Sequence, residues 1–522
     1  MKGQNREDFV RKFTIMNDKR ISRLFFFTLF IIFFLQILIS ITYLFRNADG
    51  DRLRIVGIKE EEELDVIYIG GSAAFVYWQP LKAWNEYGFT SYNYAVNSLQ
   101  AEGVQNLIKE SMKTHSPELF VIDLRPFQYW KSEFNEGEPR RVSDKLDYSW
   151  NRFDFLFKFV TTRDYNEEID YLSLFLEVAK YHSNLEALAD PNNWKRINNE
   201  GKAAYKGWET NSEIQYFEEP SDFYTEEKEE IPQKLVKILE ELMEYCSKEE
   251  LEVLFVVCPY VIEKEHQIRY NTLKEIIENN GFQYINTNEY YEDMGIDFST
   301  DFYDRNHVNI GGAEKYTAFL AEYISSRYAL PDHRKEKSFL NWDWEYKEFE
   351  KEVDIYKTEI QRTIAAAQLN IELAKEMKKT TSLQEWGTMA FQDGFTVLFI
   401  GSLRNRDLSV KDQIFFRQLG LEDSIFAEED EGSYIGVING GDIEFVQKMD
   451  SQDRYDGLLN ENTGKEKAYS FDIPNNSILI DNVEYGEKKD EINIIVYDNH
   501  FGKVVDSVSV VLGKSGELEL ER

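Results

Sequence analysis

The sequence predicts an α/β protein, with a parallel sheet layered between helices, a β-rich module after it and one membrane-spanning helix before it. Three observations carry this. Short apolar runs at Asp65–Ile69, Thr90–Ala95, Leu119–Leu124, Leu251–Pro259 and Phe282–Asn286 alternate with helical spacings. Such runs read as strands buried on both faces, and strand, helix and strand in turn imply right-handed crossovers and three layers. From about Gly387 the rhythm changes to closely spaced strand-like runs separated by Gly, Asn and Asp turns. Finally, Leu24 to Phe45 runs without a single charge.

That run is long enough to cross a bilayer and too long for a typical signal-peptide core. Residues 1 to 23 carry seven Lys or Arg against three acids, which places a basic tail in the cytoplasm and the bulk of the chain outside the cell membrane. Residues 46 to 64 read as a polar, acidic linker. At 522 residues more than one domain is expected, and a net charge of −35 argues against nucleic-acid binding and against attraction to anionic lipid. Aromatic residues make up 15%, which excludes wholesale disorder and suits surfaces that stack on sugars, although most rings belong to core. The two cysteines, Cys246 and Cys258, read as buried thiols, so neither a disulfide framework nor a Cys-rich metal site is expected. No cofactor is called for.

The first α/β unit is Asp65-Val66-Ile67-Tyr68-Ile69-Gly70-Gly71-Ser72. Two glycines after the strand permit a sharp turn, and Ser72 emerges at the carboxyl end of the strand, where open α/β sheets bind ligands. It is either a nucleophile or the closure of a tight turn. Far downstream, Asp304-Arg305-Asn306-His307 sets a carboxylate three residues before an imidazole, just ahead of the closing helix Gly312–Tyr328. Asp304 can accept the Nδ1 proton of His307 and fix its tautomer, leaving the other nitrogen to act as base for a serine. One other histidine, in Asp498-Asn499-His500-Phe501-Gly502, follows a carboxylate in a turn, and that cluster reads as a hairpin turn.

Gly70-Gly71-Ser72 after the first strand, with Asp304-x-x-His307 before the last helix, resembles the SGNH/GDSL hydrolase superfamily over roughly residues 63 to 328. It is closer to the membrane-anchored branch that acylates surface polysaccharides. The resemblance implies a three-layer, flavodoxin-like α/β/α domain over 65–330 and a catalytic Ser72, His307 and Asp304. It also implies an oxyanion site from the backbone of Ser72 and Ser98, with Asn97 or Arg125 in place of the family's asparagine. Ser98 stands where the family has a glycine, and Asp123-Leu124-Arg125-Pro126 where it has Gly-x-Asn.

Residues 127 to 230 interrupt the sheet with aromatic, helical sequence, including amphipathic helices at Asp144–Asp154 and Tyr171–Tyr181. They read as an insertion above the carboxyl edge, with Trp150, His182, Trp194, Lys206, Gly207 and Trp208 as candidates for sugar or acyl contact, although each taken alone reads better as structural packing. The sheet resumes after helix Pro232–Ser247, and helix Glu263–Asn279 ends at Asn280-Gly281. Residues 331 to 386 form a charged helical connector. The last runs, Ser477–Tyr485, Ile492–Asp498 and Gly502–Ser507, resemble the interleukin-like EMT-inducer domain, which implies a carbohydrate-binding stem over 387–522.

Together these readings lead to a membrane-anchored serine esterase or O-acyltransferase. It would act outside the cytoplasm on cell-surface polysaccharide, with a membrane acyl-exporting protein as a possible partner. The alternative is a catalytically silent scaffold that binds glycan.

Overall fold

A computed structural model describes residues 4–45, 50–165, 170–196, 201–401, 409–421, 433–449, 454–460, 466–486, 491–512 and 518–522. The start of the expected linker lies outside the described residues, as do most side chains of the basic tail. The described chain has a parallel-sheet α/β core, a C-terminal antiparallel β-rich region and one N-terminal apolar helix. It divides into two compact units. The first holds residues 1–210, 220–295 and 313–350; the second holds 211–219, 296–312 and 351–522.

Five parallel strands organise the first unit: β1 (Val66–Gly70), β2 (Ser91–Ala95), β3 (Leu119–Asp123), β4 (Val253–Val257) and β5 (Gln283–Asn286). Their order across the sheet is β2-β1-β3-β4-β5. β1 pairs with β2 and β3, Val66 facing Ser91 on one side and Leu119 on the other. Every residue of β1 to β4 is buried, which is why β1, β3 and β4 read as nearly continuous apolar runs; in β2 the polar Ser91 and Asn93 are buried too, each bonded to Trp78.

The N-terminal helix α1 (Gln4–Phe45) contains an apolar window, Ser22–Ser40, with mean hydropathy 2.2 and no residue of it fully buried. The expected linker is instead folded onto the core. α2 (Gly50–Gly57) buries Arg52, Arg54 and Ile55. The Arg54 guanidinium lies 3.7 Å over the Phe75 ring and donates to the Ala95 carbonyl, so a segment rich in charge still packs.

The insertion is helical, but its helices begin and break elsewhere than the periodicity suggests. The expected helix at Asp144–Asp154 is displaced: residues 144–149 are non-helical, and Ser149 accepts the Arg152 amide and starts the helix Trp150–Thr162. Tyr171–Tyr181 breaks at Leu176 into Tyr171–Phe175 and Glu177–Tyr181. A fully buried ion pair between Arg152 and Glu177, 2.8 Å apart, fastens the two parts of the insertion, and removing one partner of such a pair costs about 3–5 kcal/mol.

In the second unit the strands are antiparallel. A six-stranded sheet has at its centre Phe395–Gly401 and Ile492–Asp498, and a four-stranded sheet holds Arg454–Leu459, Lys467–Asp472, Ser477–Ile480 and Val483–Tyr485. The two faces of the larger sheet serve different cores. Val397, Phe399, Ile494 and Val496 join Trp386, Phe415 and Phe416 of two helices, while Leu398, Ile400, Ile495 and Tyr497 join Phe471, Ile478 and Ile480 of the smaller sheet. Period-two alternation of two apolar sets produces both layers. The β-rich region is as expected; the added helical layer, Leu383–Ala390 and Val410–Gln418, is not. The division between the units also differs from the expected boundary near residue 387. It falls inside the long helix Leu340–Met377, because Ala374 and Met377 belong to the second unit's core.

Candidate active site

Ser72 opens a short helix, Ser72–Tyr77, at the carboxyl end of β1. Of the two glycines before it, one is required by space. A β-carbon on Gly70 would lie 2.8 Å from both the Ala74 and the Asp123 β-carbons, whereas one on Gly71 would meet nothing closer than 3.7 Å. The atoms around Gly71 are the backbone nitrogens of Leu99 and Ser98, so the loop after β2 passes beside the Ser72 turn. Ser98 takes a φ of 51°, the left-handed conformation that glycine favours, and is exposed. The Asn97 amide donates to the Asp51 carboxylate at 3.0 Å, and the Asn97 side-chain oxygen accepts from the Ser98 hydroxyl at 3.3 Å.

Arg125 begins a helical turn at the carboxyl end of β3, next to β1. It is buried, donates to the Tyr77 hydroxyl at 3.0 Å and lies 4.6 Å over the Tyr260 ring. Its amide donates to Asp123, which fixes the turn. Below it, Tyr68 and Tyr316 share a hydrogen bond of 2.7 Å, and both reach the Cys258 sulfur. Burial, helped by the charge of Asp123, pushes the Cys258 thiol up to about 12, and burial does the same for Cys246. Both cysteines stay neutral thiols, as expected of inert core residues.

Asp304 and His307 belong to the second unit, where Phe302–Asp304 and His307–Val308 form a two-stranded ribbon with Asp304 facing His307. The His307 Nδ1 lies 3.0 and 2.9 Å from the two Asp304 carboxylate oxygens. The Asn306 amide also donates to Asp304, at 2.6 Å. Burial pushes the Asp304 carboxyl upward, but the hydrogen bond and charge of His307 with the amides of Asn306 and His307 outweigh it. The net pKa lies below the ordinary carboxylate value. Tyr303 stacks on the imidazole, 5.4 Å between centroids and 7° from parallel. Asp304 is therefore ionised, and it holds the proton of His307 on Nδ1 so that Nε2 is the basic nitrogen.

The structure thus brings Asp304 to His307 and Ser98 to the Ser72 turn, and puts Ser72 in one compact unit and the Asp304–His307 pair in the other. No protein-family model and no curated protein matches the chain. A solved structure of a gut microbial diltiazem-metabolizing enzyme is similar at 10% identity with a TM-score of 0.22, over 51% of this chain and 48% of that one. The match thus spans about half of that enzyme, and a likeness at this level bears on neither fold nor chemistry.

Among the insertion residues weighed as sugar contacts, Lys206 and Trp208 follow the packing reading. Lys206 is buried between Glu61 at 2.6 Å and Glu345 at 3.0 Å, over the Trp342 ring. Trp208 donates to the Val76 carbonyl and packs on Phe349. A charged residue with two remote partners looks exposed in sequence, because neither partner is near it in the chain. Trp150 and Trp194 are exposed, and the His182 Nδ1 bonds the Ala179 carbonyl of its own turn. Tyr303, Tyr77 and Tyr260 escaped the sequence reading. Tyr303 had a signal, its place directly before Asp304; the other two are met only through Arg125.

Proposed function

We propose that the chain is a membrane-anchored serine esterase or O-acyltransferase of the SGNH/GDSL type, acting outside the cytoplasm on acyl groups of cell-surface polysaccharide. The observation that carries this reading is the Asp304 carboxylate on Nδ1 of His307. The strand order β2-β1-β3-β4-β5 is that of flavodoxin-like doubly wound sheets and supports a three-layer hydrolase domain. The left-handed Ser98 beside the Ser72 turn supports an oxyanion role for its amide.

In this mechanism His307 Nε2 takes the proton of the Ser72 hydroxyl as its oxygen attacks the acyl carbonyl. The oxyanion is held by the amides of Ser72 and Ser98, with Arg125 or the Asn97 side chain lending charge or a further donor. Collapse expels the alcohol, protonated by His307, and leaves an acyl-Ser72 ester. Water or a sugar hydroxyl, deprotonated by His307, then resolves it. The span Ser22–Ser40 holds the enzyme where a membrane acyl-exporting protein can deliver its donor, and the β-rich region serves as the glycan-binding stem.

A catalytically silent glycan scaffold is the second reading. It is favoured by Arg125, whose guanidinium is engaged by Tyr77 and Tyr260 at the position where the family keeps an asparagine. A fluorophosphonate probe separates the two. It should label the wild type and spare Ser72→Ala at unchanged melting temperature. Absence of labelling in a folded wild type ends the enzymatic reading.

A further inference from the structure

Exposure along α1 is not uniform. Residues 22 to 37 are exposed, 38 to 40 are half-buried, and Thr42, Leu44 and Phe45 are buried. The end of α1 is covered by the helical insertion, against Glu177–Tyr181, the turn Leu185–Leu188 and the helix Pro191–Arg196. Asn184 donates to the Phe45 carbonyl at 2.8 Å and so ties the insertion to the end of the apolar helix. Two of these elements, together with the helix Tyr171–Phe175 that packs on Glu177–Tyr181 and the Leu176 that joins them, carry large apolar side chains in the open: Leu172 is 61% exposed, Leu185 64%, Trp194 50% and Leu176 41%. A soluble surface seldom gathers so many in so short a stretch. Tyr171, also exposed, and Lys195 complete a set of residue types that favours the boundary between lipid tails and water.

We infer that this face of the insertion is a membrane-docking surface: Leu172, Leu176, Leu185 and Trp194 sit in the interfacial layer of the bilayer that α1 crosses. The occupant is lipid because the face continues from the outer end of the span itself, with Asn184 and Leu185 adjacent in the chain. Binding is by apolar partition, since a chain of net charge −35 gains nothing from anionic headgroups. A second feature agrees. Gly50 is five residues from Phe45, at most about 18 Å of extended chain. The next residue, Asp51, already holds the Asn97 amide in the loop beside the Ser72 turn. The carboxyl edge of the parallel sheet is thus tethered close to the bilayer, and docking of the insertion would fix its orientation there.

The inference rests on the reading of Ser22–Ser40 as a span, and holds whether or not Ser72 is a nucleophile. The test uses the full chain in phosphatidylcholine nanodiscs, with a polarity-sensitive dye on single introduced cysteines: Phe33→Cys in the span, Leu172→Cys and Leu185→Cys on the proposed face, and Lys248→Cys at the amino edge of the sheet. Cys246 and Cys258 are buried, so the dye reports the introduced thiol. Emission from positions 33, 172 and 185 should shift to the blue and fall about twofold in brominated lipid, while position 248 stays water-like. Quenching at 33 with water-like emission at 172 and 185 overturns the docking surface alone. Absence of quenching at 33 removes the span and the inference with it. Blue-shifted labels at 172 and 185 that brominated lipid does not quench mean that protein covers this face, and that also overturns the proposal.

Discussion

The second unit contains two turns in which an aspartate precedes a histidine, and they do different things with the same carboxylate. In the Asp304 turn the histidine follows at three residues, and the carboxylate takes the ring nitrogen of His307. In the Asp498 turn it follows at two, and the carboxylate takes the backbone amides of His500 at 2.8 Å and Phe501 at 3.1 Å, closing the hairpin between Ile492–Asp498 and Lys503–Leu512. Asp498 is buried, while the Asp304 side chain is 41% exposed. Both carboxylates take backbone amides, and one residue of spacing decides whether the imidazole is held as well. The Asp498 arrangement closes a hairpin, and the Asp304 arrangement also fixes the tautomer of a histidine.

The largest expected effect separates the turns by chemistry. Asp304→Asn should slow labelling of Ser72 by roughly 10⁴-fold through loss of the correct His307 tautomer, with the fold retained. Asp498→Asn should leave the labelling rate as it is. Equal rates for the two variants would show that Asp304 is no more than a turn residue.

Stability should divide them the other way. Asp498→Ala strands two amides in a half-buried turn and should cost about 1–3 kcal/mol, read by urea unfolding. Asp304→Ala removes a more exposed acceptor and should cost less, about 1 kcal/mol. A larger loss at Asp304 would reverse the assignment of structural and functional turns.

The pH dependence should differ in sign. The depressed carboxyl of Asp304 stabilises the fold above the unfolded value of about 3.9, and that contribution is lost as pH falls through the folded pKa. Burial, opposed by the amides of Phe501 and His500 and by Asn370, leaves the Asp498 carboxyl raised. Its contribution is complete below about pH 3.9 and is lost as pH rises through the folded pKa. Melts over the acid range should therefore show Asp304→Asn removing a component that rises with pH, and Asp498→Asn removing one that falls. Slopes of the same sign in both variants would mean that the two carboxylates share an environment. The smallest effect belongs to His500→Ala. It should change stability by less than about 0.5 kcal/mol and labelling not at all, since the turn uses the amide of His500 and not its ring.

Much of this was legible in the chain. The five strands of the parallel sheet and most of the later ones follow from the apolar runs, whereas Asp442–Met449, Arg454–Leu459 and Leu518–Glu521 do not stand out in sequence. The hairpin at Asp498–Gly502 follows from its turn chemistry, with Gly502 at a φ of 62°. The approach of Asp304 to His307 follows from a spacing of three residues in a turn. What the sequence missed lies where partners are remote. The helix start at Ser149 and the break at Leu176 interrupt a periodicity that reads as continuous, and the helices Leu383–Ala390 and Val410–Gln418 cover a sheet face that only the assembled strands create.

By itself, then, the sequence determined a helix apolar enough to cross a membrane, the buried strands of an α/β core, the alternation of the later strands and the local pairing of Asp304 with His307. Each depends on neighbours within a few residues or on a repeat that any segment carries along its own length. Only the tertiary structure decided that Lys206 would be buried between Glu61 and Glu345, that Arg125 would be held by Tyr77 and Tyr260, and that the expected linker would pack on Phe75. A long charged side chain is soluble almost anywhere, so its place is set by which remote carboxylates and rings the fold brings to it, and no local pattern records that.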